Sequence, residues 1–333
     1  MRSDSRWLLV DTLDVGAAVV VAGGAVKNRV PLDSFLRGHT DREAMSALVT
    51  EVRRRRSARV GPGGSGRMIT ADPIIADDGS VHGVWLRAAR SETPAPERAD
   101  AWAIRWDLDR RVAWRPYASQ TEPSEWSIAE VLERIDLQEA TVPVLASVVG
   151  EPEDTVYNAQ ATVADESPAS PGRRVQFCAR VRNERGRRTV RGLGYDLGPA
   201  QSATESPTAI AQLVADAPSE RPRYRAIVDL ESLEFVYWYG PAPRDIAWRL
   251  EDRRGHPSCL HPDDVPLARS IANQMRSHGA TNVSTTRVLR YRLLNGSYAS
   301  FDVSAAAVSL RPDVLAGLVT ISPRFTSDRD QSI

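Results

Sequence analysis

Three glycines in turn-forming contexts, Gly79 after Asp77-Asp78, Gly186 after Asn183-Glu184-Arg185 and Gly296 after Asn295, recur about 110 residues apart. Each separates two strand-like runs. Met68–Ile75 and Val81–Arg87 flank the first. At the second, Val175, Phe177, Ala179 and Val181 alternate with Gln176, Cys178 and Arg180, and Thr189–Leu197 returns. At the third, Leu289, Tyr291 and Leu293 alternate with arginines, and Ala299, Phe301, Val303 and Ala305 return. A period of two on both sides of a residue that tolerates positive φ predicts an antiparallel hairpin. Each hairpin is preceded by the same signature, a short apolar run ending in Asp before a turn: Leu9-Val10-Asp11, Arg105-Trp106-Asp107-Leu108 and Ile227-Val228-Asp229-Leu230. A plan repeating at this length predicts three domains, not a solenoid.

Helices are expected between the opening strands and the hairpins. Thr40 with Glu43 and Ser127 with Glu130 have capping-box spacing. Met45, Leu48, Val49 and Val52 follow the first, and Ile128, Val131, Leu132 and Ile135 the second, each at i, i+3, i+4, i+7. In the third copy His261-Pro262-Asp263-Asp264 leads into a helix whose apolar face is predicted at Leu267, Ile271 and Met275. Two polar, proline-bearing stretches read as linkers, Ser91–Asp100 and Gly198–Pro222. The second contains a short helix over Ser206–Asp216, with Ser206 as cap and Pro207 in the first turn. The expected division is therefore domains at 1–92, 101–198 and 223–325, a linker with a short helix at 199–222 and a tail at 326–333.

Lys+Arg and Asp+Glu both number 43, so no global charge favours a polyanionic partner, and no nucleic-acid partner is expected. The two cysteines, Cys178 and Cys259, fall in different predicted domains, which suits a reducing cytoplasm and no disulfide framework. The most apolar run, Val15–Val26, is too short to span a bilayer and reads as a buried strand with a Gly-Gly turn.

Chemistry-bearing clusters are sparse. His261, Asp263 and Asp264 could ligate a metal, but Pro262 and the carboxylates also suit the positive end of a helix, so no metal site is assigned. The Gly61–Gly66 loop lacks the Gly-Lys-Ser/Thr ending of a phosphate loop, although Arg53–Arg56, Arg59 and Arg67 flank it. Ser, His and Asp occur without a G-x-S-x-G elbow or a zincin motif. Tryptophans gather at Trp102, Trp106, Trp114, Trp238 and Trp248.

On its strand-turn-strand opening, the His261–Asp264 helix entry and the Asn295-Gly296 hairpin, the third copy resembles a PAS domain. The first two resemble PAS or GAF domains. The whole chain looks like uncharacterised actinobacterial, mycobacterial-type proteins built from tandem PAS/GAF sensor-like domains. The resemblance implies an α+β fold of three such domains, each an antiparallel sheet with helices on one face. It implies a cytoplasmic sensory protein that binds a small ligand or a protein partner and has no catalytic output. A sheet–helix pocket in the third domain would be lined by Trp238, Tyr291 and Phe301. The alternatives are a scaffold whose sensor pockets are filled, and an enzyme with a site in His256–Asp264. No cofactor is specified; a homodimer through the linker helix is an option.

Overall fold

The computed structural model describes residues 6–114, 125–150, 156–164, 172–200, 223–253, 255–256, 258–279 and 285–324. The helix expected at Ser206–Asp216 and the tail from 326 lie outside them. In chain order the elements are β1 (Leu8–Asp11), β2 (Ala18–Ala22), β3 (Ala25–Pro31), α1 (Leu32–Phe35), α2 (Arg42–Arg55), β4 (Arg59–Pro62), β5 (Arg67–Ile75), β6 (Val81–Arg90) and β7 (Ala101–Asp107). Short strands β8 (Val112–Trp114) and β9 (Glu125–Ser127), α3 (Ile128–Glu133), β10 (Ile135–Asp136) and α4 (Thr141–Val149) follow. The long strands β11 (Val156–Val163), β12 (Arg173–Glu184) and β13 (Arg187–Pro199) come next. The chain then forms β14 (Tyr224–Val228), β15 (Phe235–Tyr239), α5 (Val265–His278), β16 (Thr285–Arg292), β17 (Tyr298–Arg311) and β18 (Val314–Pro323).

The strands make three antiparallel sheets that share one order. The first contains β2-β1-β6-β5-β4 with β3 added beside β2, and the third is β15-β14-β18-β17-β16. The second has β7-β13-β12-β11 as its core. In each, the opening strand pairs with the last strand of the terminal hairpin. The three turn glycines have φ of +77°, +80° and +89°, the left-handed region that a side chain resists, but they are not equivalent: Gly79 and Gly186 join the last two strands of their sheets, whereas Gly296 joins β16 to β17, the pair before the terminal one.

The sheets do not correspond one-to-one with compact units, of which there are two. Unit one comprises 1–110, 114–124 and 153–202, and unit two 111–113, 125–152 and 203–333. The expected division at 1–92, 101–198 and 223–325 follows the sheets, whereas the units cut across it. The reason is packing. In unit one the first sheet is buried on both faces. One face meets α1 and α2 through Val10, Val19, Leu86 and Val52; the other meets the second sheet, with Trp7, Leu9, Val21 and Trp85 against Leu193 and Tyr195. This explains why β6 is buried from Val81 to Ala89. Gly83 makes close approach possible, since a Cβ there would come within 2.7 Å of the Leu193 side chain. The 91–100 stretch, expected to be a linker, is tied to the first sheet: Trp7 Nε1 donates to Pro96 O (3.0 Å), and Arg87 to the carbonyls of Thr93 and Pro94.

In unit two, α3 packs on β15, and α4 on β15, β17 and β18. The Ser127/Glu130 capping box is formed, with Ser127 N donating to Glu130 (2.7 Å) and Glu130 N to Ser127 Oγ (3.2 Å). Leu250 N donates to the same Glu130 oxygen (3.0 Å). That bond and the packing give the 125–152 segment to unit two. The other expected box is absent: the N-cap of α2 is Asp41, not Thr40, and the Asp41 carboxylate instead accepts from Gly64 N and Arg67. Of the expected inward face of α5, Met275 is buried and Ile271 packs partly buried on the same cluster, while Leu267 is exposed and Ala272 is the other buried position. Strands β3, β4 and β11 and helix α4 carry no clear periodic signal and were not expected.

Candidate functional site

The three residues expected to line a pocket in the third sheet come together. Trp238, Tyr291 and Phe301 are all buried in one cluster of unit two with Phe235, Trp248 and Leu260. The rings are in mutual contact: Phe235 lies 4.5 Å from Trp238 and 6.0 Å from Tyr291, Trp238 5.6 Å from Trp248, and Tyr291 5.7 Å from Phe301. Such offset and edge-on pairs add to simple burial. Trp248 donates from Nε1 to Pro243 O (3.1 Å), and its carbonyl accepts from the Arg253 guanidinium. Arg253 is in turn paired with Glu234. Trp238 Nε1 is buried with no acceptor.

The His261–Asp264 entry is a helix start. His261 Nδ1 accepts from Asp263 N (3.2 Å), and its ring packs edge-on against Tyr298. Asp264 receives Arg290 from β16, with Nε at 3.0 Å, a terminal nitrogen at 2.7 Å and the backbone amide at 2.7 Å. These bonds and the Arg290 charge hold the Asp264 carboxyl below its usual range. The entry therefore clips α5 to the edge strand. No group of three or more His, Cys, Asp or Glu side chains that could hold a metal occurs among the described residues. Cys259 and Cys178 are buried free thiols. Burial pushes both up to about 12, with the Asp11 carboxylate adding to the effect at Cys178. Neither is expected to react with a thiol reagent at pH 8 in the native protein, while both should react after denaturation; a titre above zero without denaturant would contradict this burial.

Unit one has an open concavity of about 410 Å³ between the β5–β6 hairpin and β7. Trp85, Trp102 and Trp114 line it, with Arg98, Arg105, Asp72 and Asp77. The Arg105 guanidinium lies 3.3 Å from the centre of the Trp114 ring and makes a fork-like pair with Asp77. Arg98 lies over Trp7 (5.0 Å) and pairs with Asp72 (2.6 Å). Trp102 is held flat against Gly194, where a Cβ would meet its ring at 2.3 Å. In the sequence Trp102 and Trp114 stand out only as members of a tryptophan-rich group, and Trp85, Arg98 and Arg105 give no local signal of a site. The carboxylates that position both arginines lie far away in the chain.

The three strand-ending aspartates are equivalent in structure as well as in sequence. Each is buried, and each accepts a backbone amide of the following turn: Leu13 on Asp11 (2.9 Å), Arg110 on Asp107 (2.9 Å) and Glu231 on Asp229 (3.0 Å). Each also faces an arginine: Arg180, Arg187 and Arg111 respectively. Burial would raise the Asp11 and Asp229 carboxyls, but the arginines and the turn hydrogen bonds outweigh it and leave both below their ordinary value. In unit one His82 is fully buried, its Nδ1 donating to Gly192 O (2.9 Å), which leaves Nε2 to accept from Arg191 (3.1 Å). Burial holds its pKa down.

No helix among the described residues is long and apolar enough to cross a membrane. No curated protein sequence matches the chain. Among solved structures, the crystal structure of an uncharacterised protein from Mycobacterium tuberculosis is similar over 97% of both chains, with a TM-score of 0.80 and 24% identity, a likeness of fold. An RNA-binding light-oxygen-voltage receptor overlaps 67% of this chain and 95% of its own at 11% identity, and its TM-score of 0.22 carries no argument. Residues 6–97 match the family described as Rv3651-like, N-terminal, and residues 208–331 the Rv3651-like, C-terminal domain. No PAS or GAF family is among these matches. Matched at both ends by the domains of one family, the chain belongs to the Rv3651-like family.

Proposed function

We propose that this protein is a non-catalytic regulatory scaffold that works by binding a protein partner, its PAS-like C-terminal sheet serving as a filled framework. The observation that supports this reading is the contact between Phe235, Trp238, Trp248, Tyr291 and Phe301, whose rings pack on one another within a single buried cluster. The concavity of unit one supplies a binding surface of the right chemistry. Tryptophan and arginine are the side chains that most often dominate protein interfaces, and here both arginines are pre-positioned by carboxylates. The paired charges suit a partner segment that is itself polar and zwitterionic.

A second reading, a small molecule held within unit two, is favoured by one atom: the buried Trp238 Nε1 lacks an acceptor, which a ligand or an ordered water would supply. Native mass spectrometry of the full chain, purified without denaturant, separates the two. The scaffold reading expects the mass of the chain alone or with a protein partner. A stoichiometric small molecule released on denaturation would overturn it. Where a partner co-purifies, Trp114→Ala and Arg105→Ala are expected to weaken the complex by roughly tenfold or more each, as interface anchors do; a partner retained at full strength by both variants would remove the groove from the proposal.

A further inference from the structure

In unit one the loop between β1 and β2 carries Asp14, whose carboxylate is about one-third exposed (34%). Three guanidiniums from two strands meet on it: Arg29 of β3, and Arg180 (2.9 Å) and Arg182 of β12. Arg180 is 1% exposed and is also anchored on Asp11 (2.8 Å), to which Arg29 donates as well (3.2 Å). Arg53 of α2 donates to the Asp14 backbone carbonyl (3.0 Å) but is exposed and touches neither carboxylate, so it stands outside the charge balance of the cluster. The mouth is open, with Arg29 at 22% and Arg182 at 33% exposure, and Val15 beside Asp14 extends fully into solvent.

The cluster is one anion short. Three guanidiniums face two carboxylates, Asp11 and Asp14. The Cys178 thiol, 3.8 Å from Asp11, does not make up the difference, because its pKa of about 12 keeps it neutral. Glu184 influences Arg182 but is itself committed to Arg191 through a two-point pair, which Asp78 also joins. The deficit shows in the hydrogen bonding too. The Nε–H groups of Arg180 and Arg182 are buried and lack acceptors. Buried guanidinium donors without acceptors are costly, and a carboxylate has too few lone pairs for all the donors gathered here.

We propose that Arg29, Arg180 and Arg182 form a binding site for the phosphoryl group of a small molecule, which the loop carboxylate of Asp14 occupies from within. A phosphoryl dianion in place of Asp14 would balance the three cations together with Asp11. Its additional oxygens match the donors that Asp14 leaves unsatisfied, and arginine forks suit phosphate geometry. Displacing Asp14 requires movement of only the tip at 14–16, of which Val15 and Gly16 are exposed, since Thr12 and Leu13 are buried and Asp11 stays anchored by Leu13 N and Arg180.

Inorganic phosphate is the probe, titrated into the full chain at constant ionic strength, with chloride as control and with calorimetry and melting temperature as readouts. Asp14→Asn, which removes the internal anion, is expected to bind phosphate at least about tenfold more tightly than the parent protein. Arg182→Ala, at the exposed mouth, is expected to lose the phosphate-dependent rise in melting temperature that the parent shows at high phosphate. If Asp14→Asn folds and binds phosphate no better than the parent, the proposal fails. It also fails if Arg182→Ala keeps the full phosphate response or if the parent responds to phosphate only as it does to chloride, and these two outcomes do not depend on whether Asp14→Asn folds.

Discussion

Replacing Arg180 by alanine is expected to lower the stability of unit one by about 3–5 kcal/mol, the range found when one member of a buried ion pair is removed. Arg180 and Asp11 are each 1% exposed and bonded at 2.8 and 3.3 Å. Truncating the arginine leaves the Asp11 carboxylate inside the sheet-to-sheet core with Arg29 as its remaining charged partner. Chemical denaturation measures the loss, and hydrogen exchange should place it in β1, β12 and β13. The pH dependence gives a sign that a simple packing defect would not. The Asp11 pKa is lower in the folded protein than its ordinary 3.8, so its contribution is present in full above the ordinary carboxylate range and is lost as pH falls through the lowered folded value. The gap between the parent and Arg180→Ala should therefore narrow in acid. A cycle with Asp11→Asn should show coupling of about 0.5–3 kcal/mol, as contacting residues do. A loss below about 1 kcal/mol in Arg180→Ala, or a gap that widens on acidification, would show that the pair contributes little net stability.

The same aspartate shows what local sequence rules can and cannot reveal. Asp11, Asp107 and Asp229 were recognisable as one feature because a strand-ending Asp acts locally, accepting an amide two or three residues on. The hairpins at Gly79, Gly186 and Gly296 were legible for the same reason, since a positive φ is a demand made at one position. The arginines that complete the buried pairs were not legible. Arg180 lies 169 residues from Asp11, and Arg111 lies 118 from Asp229. On β12, Arg180 reads as the polar half of a half-buried strand. It is buried because a second sheet covers it, which no strand period announces. The two-sided burial of β6 follows from that contact too, and it turns 91–100 from a linker into a tied-down segment.

Helix boundaries failed where a side chain had a better distant use. Asp41 sits at the start of α2 with its carboxylate committed to Gly64 and Arg67, so the Thr40–Glu43 box never forms. The Ser127–Glu130 box does form, yet α3, which it begins, packs on β15 in unit two. Capping chemistry is local and can be predicted; the surface on which an amphipathic helix lands is not. The candidate pocket followed the same pattern. The resemblance to a PAS domain, and no strand period, pointed to Trp238, Tyr291 and Phe301 as pocket-lining residues. The contact of Trp238 with Trp248 depends on how the segment carrying Trp248 folds over the sheet.

That contact makes Trp248 the most consequential core residue of unit two. Its ring is 1% exposed, and it is among the largest fully buried side chains of the protein. Trp248→Ala is expected to cost about 3–5 kcal/mol, the sum of lost burial and an indole-sized void that packed neighbours can only partly close. The loss should appear in the third sheet and in the segment around Arg253, whose guanidinium is held by the Trp248 carbonyl and by Glu234. A void lined by Trp238, Phe235 and Ile246 would be apolar, and apolar voids accept apolar guests. Indole added to Trp248→Ala should therefore raise its melting temperature, while the parent, with its own ring in place, should not respond. A parent that is stabilised by indole as strongly as the variant would mean that the core of unit two already holds open space, and the filled-framework reading of this sheet would give way to the ligand-binding one.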